Sequence, residues 1–66
     1  MLKEEVIDIM SAVILKSQEE MMKYREMPKH EIEQSLKWSQ PQIDHANELI
    51  LNELISKGIV PSSMIE

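Results

Sequence analysis

Sixty-six residues with a net charge of −5 and no Cys exclude a multidomain architecture, a disulfide framework and a thiolate-bound zinc. A chain this short buries only about 60% of the surface its unfolded form exposes. Stability therefore has to come from a partner chain or from unusually efficient helix packing.

The composition is 42% hydrophobic and 29% charged, too apolar for intrinsic disorder. One Gly, three Pro and no Phe, with β-branched residues outnumbered by Leu, Met, Glu, Lys and Gln together, favour helix. The start, Met1-Leu2-Lys3-Glu4-Glu5, is too acidic for a signal peptide, and no stretch approaches the roughly 20 apolar residues of a membrane span. The expected location is cytoplasmic.

Residues 2–26 contain neither Gly nor Pro and read as one long helix. At about 100° per residue, Leu2, Val6, Ile7, Ile9, Met10, Val13, Ile14, Met21, Tyr24 and Met27 fall in one wide arc. Leu15 and Met22 lie outside it as a second small apolar spot. Such a helix wants cover on nearly every side. Met27-Pro28 ends it, because the residue before Pro is pushed out of the helical region. A short second helix is expected over 28–37, with Pro28 first and Ile32 and Leu36 as an i,i+4 apolar pair.

Ser39-Gln40-Pro41-Gln42 then has the form of a capping box, and Trp38 and Ile43 have the spacing of a hydrophobic staple. A third helix is expected over 40–57, its stripe being Ile43, Ala46, Ile50 and Leu54, flanked by Leu49, Leu51 and Ile55. Gly58 suits the left-handed position after the C-cap, with Ile59 against Leu54 in a Schellman motif. Pro61 prevents the helix from resuming, and the tail 60–66 is expected to be flexible. The fold class is thus all-α: a long N-terminal helix, a short second helix and a capped third, intertwined or packed as a helical homodimer within a single small domain, 1–66.

No catalytic constellation is present. The chain lacks a Cys nucleophile, a Gly-rich phosphate loop and an HExxH pair, and the Glu-x-x-His spacing of di-metal bundles does not occur. His30 and His45 read as solvated polar-face residues, so no catalytic residue, cofactor or metal is expected. The carboxylates read first as solvated helix faces, and second as an acidic surface for a basic partner. Six Met, with Met21, Met22 and Met27 near Tyr24, suit either a core or a plastic binding groove.

The segment Glu31 to Val60 resembles a helix-turn-helix unit of the winged-helix type, without a wing. Ile32, Leu36, Trp38, Ser39, Ile43 and Ala46 stand where that motif places its first-helix pair, turn residue, cap and second-helix core. Glu33 stands where a small residue is usual, and Lys37 where the turn Gly is usual. The resemblance implies helix 3 in the major groove, with Gln40, Gln42 and His45 or Asn47 toward the bases. Over 28–58, however, Lys29, Lys37 and Lys57 face Glu31, Glu33, Asp44, Glu48 and Glu53, a net of −2. Nucleic-acid affinity rests on Lys and Arg at phosphates, so the charge points away from DNA.

The expected function is that of a small acidic, non-enzymatic regulator or inhibitor, of a size common in bacteria and phage. It dimerises through helix 1 and binds another, unidentified protein. The expected homodimer interface is Val6, Ile9, Met10, Val13, Ile14, Met21 and Tyr24, and the partner-binding candidates are Glu31, Glu33, Trp38, Asp44 and Glu48. The alternatives are a helix-turn-helix DNA-binding regulator and an acidic nucleic-acid mimic that blocks a basic site on a host protein. No membrane partner is expected.

Overall fold

The computed structural model describes residues 1–65. Two helices, α1 (Lys3–Tyr24) and α2 (Lys29–Ser56), fold back on one another as an antiparallel hairpin, and a 3₁₀ turn (Ser62–Met64) follows. The hairpin measures 43 × 16 × 16 Å, its long dimension close to the roughly 42 Å of a 28-residue helix. Its radius of gyration is 14.3 Å, against about 11 Å for a compact chain of this length. There is one layer of packing, helix against helix.

α1 forms where the unbroken 2–26 run indicates, with Glu4 and Glu5 complementing the dipole in its first turn. It ends in a full Schellman motif. The amide of Glu26 donates to the Lys23 carbonyl at 2.9 Å, and that of Met27 donates to the Met22 carbonyl at 3.1 Å. Glu26 occupies the left-handed position at φ 59°, where Gly is the usual residue. A left-handed non-Gly residue costs about 1–2 kcal/mol. Glu26→Gly is therefore expected to stabilise the hairpin by about 1 kcal/mol, read as a higher urea midpoint with an unchanged slope. Pro28 then caps α2, its carbonyl accepting from the amides of Glu31 and Ile32.

The expected break between a second and a third helix does not exist. α2 runs unbroken through Ser39, Gln40 and Pro41, so the capping box, the hydrophobic staple and the turn of the helix-turn-helix are all absent. Ser39 is half-buried within the helix and makes no cap, while Trp38 is 74% exposed and staples nothing. The physical reason is competition. A cap is worth about 1 kcal/mol, whereas a continuous α2 keeps Ile32, Ser39, Ile43, Asn47 and Leu51 on one line against α1. Pro41 is tolerated because it is exposed, as is Lys37, whose carbonyl it leaves without a helical donor.

The core is also displaced from the expected stripes. On α1 a buried or half-buried line runs through Ile7, Ser11, Leu15, Gln18 and Met22, so the small spot of Leu15 and Met22 belongs to the core, with Val6 and Met10 half-buried beside it. On α2, Leu51 and Asn47 are buried, while Ala46, Leu49 and Ile50 are exposed. Deepest in the helix pair, the Asn47 side-chain amide donates to the Ser11 hydroxyl at 3.0 Å across 36 residues of sequence. Asn47 is 1% exposed and Ser11 3%. This polar pair fixes which residue of α1 faces which residue of α2, since a slip would leave the amide unpartnered.

Gly58 sits at φ 73°, and the amides of Gly58 and Ile59 donate to the carbonyls of Ile55 and Leu54, closing α2 in the expected Schellman motif. Beyond it, the tail expected to be flexible carries the 3₁₀ turn, and the Met1 ammonium donates to the Met64 carbonyl at 3.3 Å. Glu66 lies outside the described residues.

Candidate interaction surface

Packing α1 on α2 uses only one side of each helix. Among the described residues, the fully buried apolar side chains are Ile32 and Leu51. Much larger apolar groups are left outside: Leu2, Ile9, Val13, Ile14, Met21 and Tyr24 on α1 or just before it, and Trp38, Leu49 and Ile50 on α2. Of the seven residues expected at a dimer interface, Ile9, Val13, Ile14, Met21 and Tyr24 are exposed and Val6 and Met10 are half-buried.

The total area carries the same message. The chain exposes 5254 Å², whereas a compact monomer of 7.7 kDa exposes about 4,300 Å². The excess is about 900 Å². Monomeric proteins rarely leave contiguous apolar patches beyond a few hundred Å².

The exposed groups are segregated along the middle of the hairpin, while at the C-terminal end of α1 Glu20 and Arg25 line a hollow with Ser17, Met21 and Tyr24. On α1, Val6, Met10, Ile14, Ser17 and Met21 recur at three or four residues and form one ridge. Met21 lines a groove with Gln18, Met22 and Arg25 of the α1 end and Ser35 and Ser39 of α2. This broad side of the hairpin is therefore shared by both helices. The other broad side is charged: Glu4, Ile7 and Asp8 of α1 line a groove with Pro41, Asp44, His45 and Glu48 of α2. Lys3 reaches across the helix pair to Glu48 at 3.7 Å, while Lys23–Glu19 and Lys57–Glu53 are i,i+4 pairs. All three are surface pairs, each worth well under about 1 kcal/mol.

The partner-binding candidates do not form one patch. Asp44 and Glu48 share the charged groove with Glu4 and Asp8. Glu31 and Trp38 line a separate groove with Gln34 and Ser35. Glu33 lies in a third, beside Glu19, Lys23, Met27, Lys29 and Ile32. The residues that sequence spacing would aim at DNA bases are dispersed as well: Asn47 is buried on Ser11, and Gln40, Gln42 and His45 lie along an uninterrupted helix. No group of three or more His, Asp or Glu among the described residues is arranged to hold a metal ion, and no helix is long and apolar enough to cross a membrane.

Sequence reasoning missed Ser11 and Asn47 because both are polar in helices whose apolar residues suggest other stripes. The available signal was spacing: Ser35, Ser39, Ile43, Asn47, Leu51 and Ile55 recur every four residues, as do Ile7, Ser11 and Leu15.

No protein-family model matches the sequence, and no curated protein or solved structure matches it.

Proposed function

We propose that this chain is a non-enzymatic, self-associating helical hairpin that acts by binding another protein. The observation carrying this reading is the segregation of its surface. A broad apolar face on α1, including Val13 at 65% exposure, stands back to back with a charged face bearing Glu4, Asp8, Asp44 and Glu48. The apolar face serves self-association. The acidic face remains outside the dimer and offers carboxylates to a basic partner.

The test uses two variants. Ile14→Asp places a charge on the ridge of Val6, Met10 and Met21 at a position that is exposed in the hairpin, so it disturbs association rather than the hairpin core. It is expected to sediment at 7.7 kDa where the unaltered chain sediments at twice that mass. The second variant neutralises Glu4 and Glu48 to Gln and Asp8 and Asp44 to Asn. It is expected to keep the dimer mass and to lose a basic partner that the unaltered chain retains on an affinity column. A dimeric Ile14→Asp, or equal partner retention by the neutralised chain, contradicts the reading.

A further inference from the structure

Association through α1 alone leaves a second ridge without a role. Trp38, Gln42, Ala46 and Ile50 recur every four residues along α2, all four are exposed, and no charged residue interrupts the ridge. Helical periodicity and the groove that joins Met21 to Ser35 and Ser39 put this ridge on the same broad side as the ridge of Val6, Met10, Ile14 and Met21. The exposed apolar surface is therefore a two-helix face.

We infer that the occupant of this face is a second copy of the chain, with α2 supplying half of the seam, so that two hairpins close into a four-helix bundle. This inference rests on the self-association proposed above and adds the part played by α2. Three observations favour a second copy. The chain exposes about 900 Å² more total surface than a compact monomer of its mass, enough for the roughly 800 Å² that each partner contributes to a standard-size interface. The two copies each carry −5, yet the ridge positions Val6, Met10, Ile14 and Ser17 on α1 and Trp38, Gln42, Ala46 and Ile50 on α2 are uncharged, and the charges that border them at one end, Arg25 and Glu31, are of opposite sign. Finally, a face with one uncharged ridge from each helix suits pairing with itself about a twofold axis, the commonest symmetry of small oligomers.

Trp38 is the only Trp and reports on α2 directly. At 74% exposure in the lone hairpin it is largely in water. The experiment follows Trp38 emission on dilution from high micromolar to nanomolar concentration, alongside sedimentation mass, for the unaltered chain and for Ala46→Glu. Ala46 is exposed and Glu is a good helix former, so the hairpin keeps its helicity, checked by circular dichroism. The expected result is an emission red shift that tracks dissociation of the unaltered chain, and a dissociation constant raised at least about tenfold in Ala46→Glu. If the unaltered chain is dimeric but Ala46→Glu is equally dimeric and Trp38 emission is independent of concentration, α2 lies outside the seam. That result overturns this inference and leaves association through α1 standing. If the unaltered chain is monomeric throughout, both fall together.

Discussion

Replacing Asn47 by Asp should unfold most of the hairpin at neutral pH. The Asn47 amide is 1% exposed and donates to the Ser11 hydroxyl at 3.0 Å. Asp offers no donor at neutral pH and brings a charge that one hydroxyl cannot stabilise. An uncompensated buried charge costs about 3–5 kcal/mol. A domain of this length has a total stability of about 3–10 kcal/mol, so most of it is lost. The pH dependence has a definite sign. Burial raises the introduced carboxyl above its unfolded value of about 3.9, so the neutral form is the one the fold tolerates. The penalty is absent below about pH 4, where both states are protonated, and it grows as pH rises toward the folded value. Urea unfolding of variant and unaltered chain at matched pH should show a gap that is wide at about pH 7 and narrow at about pH 3.5. Replacing both partners with apolar residues, Ser11→Ala with Asn47→Leu, should be near neutral in stability, because no polar group is then stranded. A stability loss for Asn47→Asp under about 1 kcal/mol at neutral pH would mean that the site is wet.

The second large effect has the opposite sign. Pro41 sits inside a continuous helix, where Pro is about 3 kcal/mol less favourable than Ala. It is exposed, so removing its ring empties no core space. Pro41→Ala restores an amide that can donate to the Lys37 carbonyl and is expected to stabilise the hairpin by about 2–3 kcal/mol, with a raised thermal midpoint and slightly greater helicity. If the chain instead broke at Ser39, with Pro41 near the start of a third helix, the same substitution would change little, because Pro is at home there. The variant thus separates the two architectures in one melting curve.

That contrast shows what was legible in the sequence. The end of α2 was readable because Gly58 acts through its own dihedral angles whatever lies around it, whereas the break expected at Met27-Pro28 comes earlier, α1 ending at Tyr24. The left-handed Glu26 was not readable, since no side chain there signals positive φ. At Ser39-Gln40-Pro41-Gln42 every local signal favoured a helix start, yet the helix continues. Local capping competes with a stripe of contacts along the whole of α2, and only packing against α1 decides between them. The core centre at Ser11 and Asn47 was hidden for a related reason. Hydrophobicity alone assigns the strongest apolar arc of α1 to the interior. The hairpin instead uses the weaker line through Leu15 and Met22, and the strong arc, with Ile9 and Val13, is left facing outward. The residues expected at a dimer interface come from the same arc, and of them Ile9, Val13, Ile14, Met21 and Tyr24 are exposed while Val6 and Met10 are half-buried.

The proposed self-association requires that outward face to be covered by a second copy. Sedimentation equilibrium of the unaltered chain at micromolar concentration tests this most directly. The account predicts a mass twice the 7.7 kDa of one chain, shifting toward 7.7 kDa only on strong dilution. A fully helical species that stays at 7.7 kDa across the concentration range would contradict it.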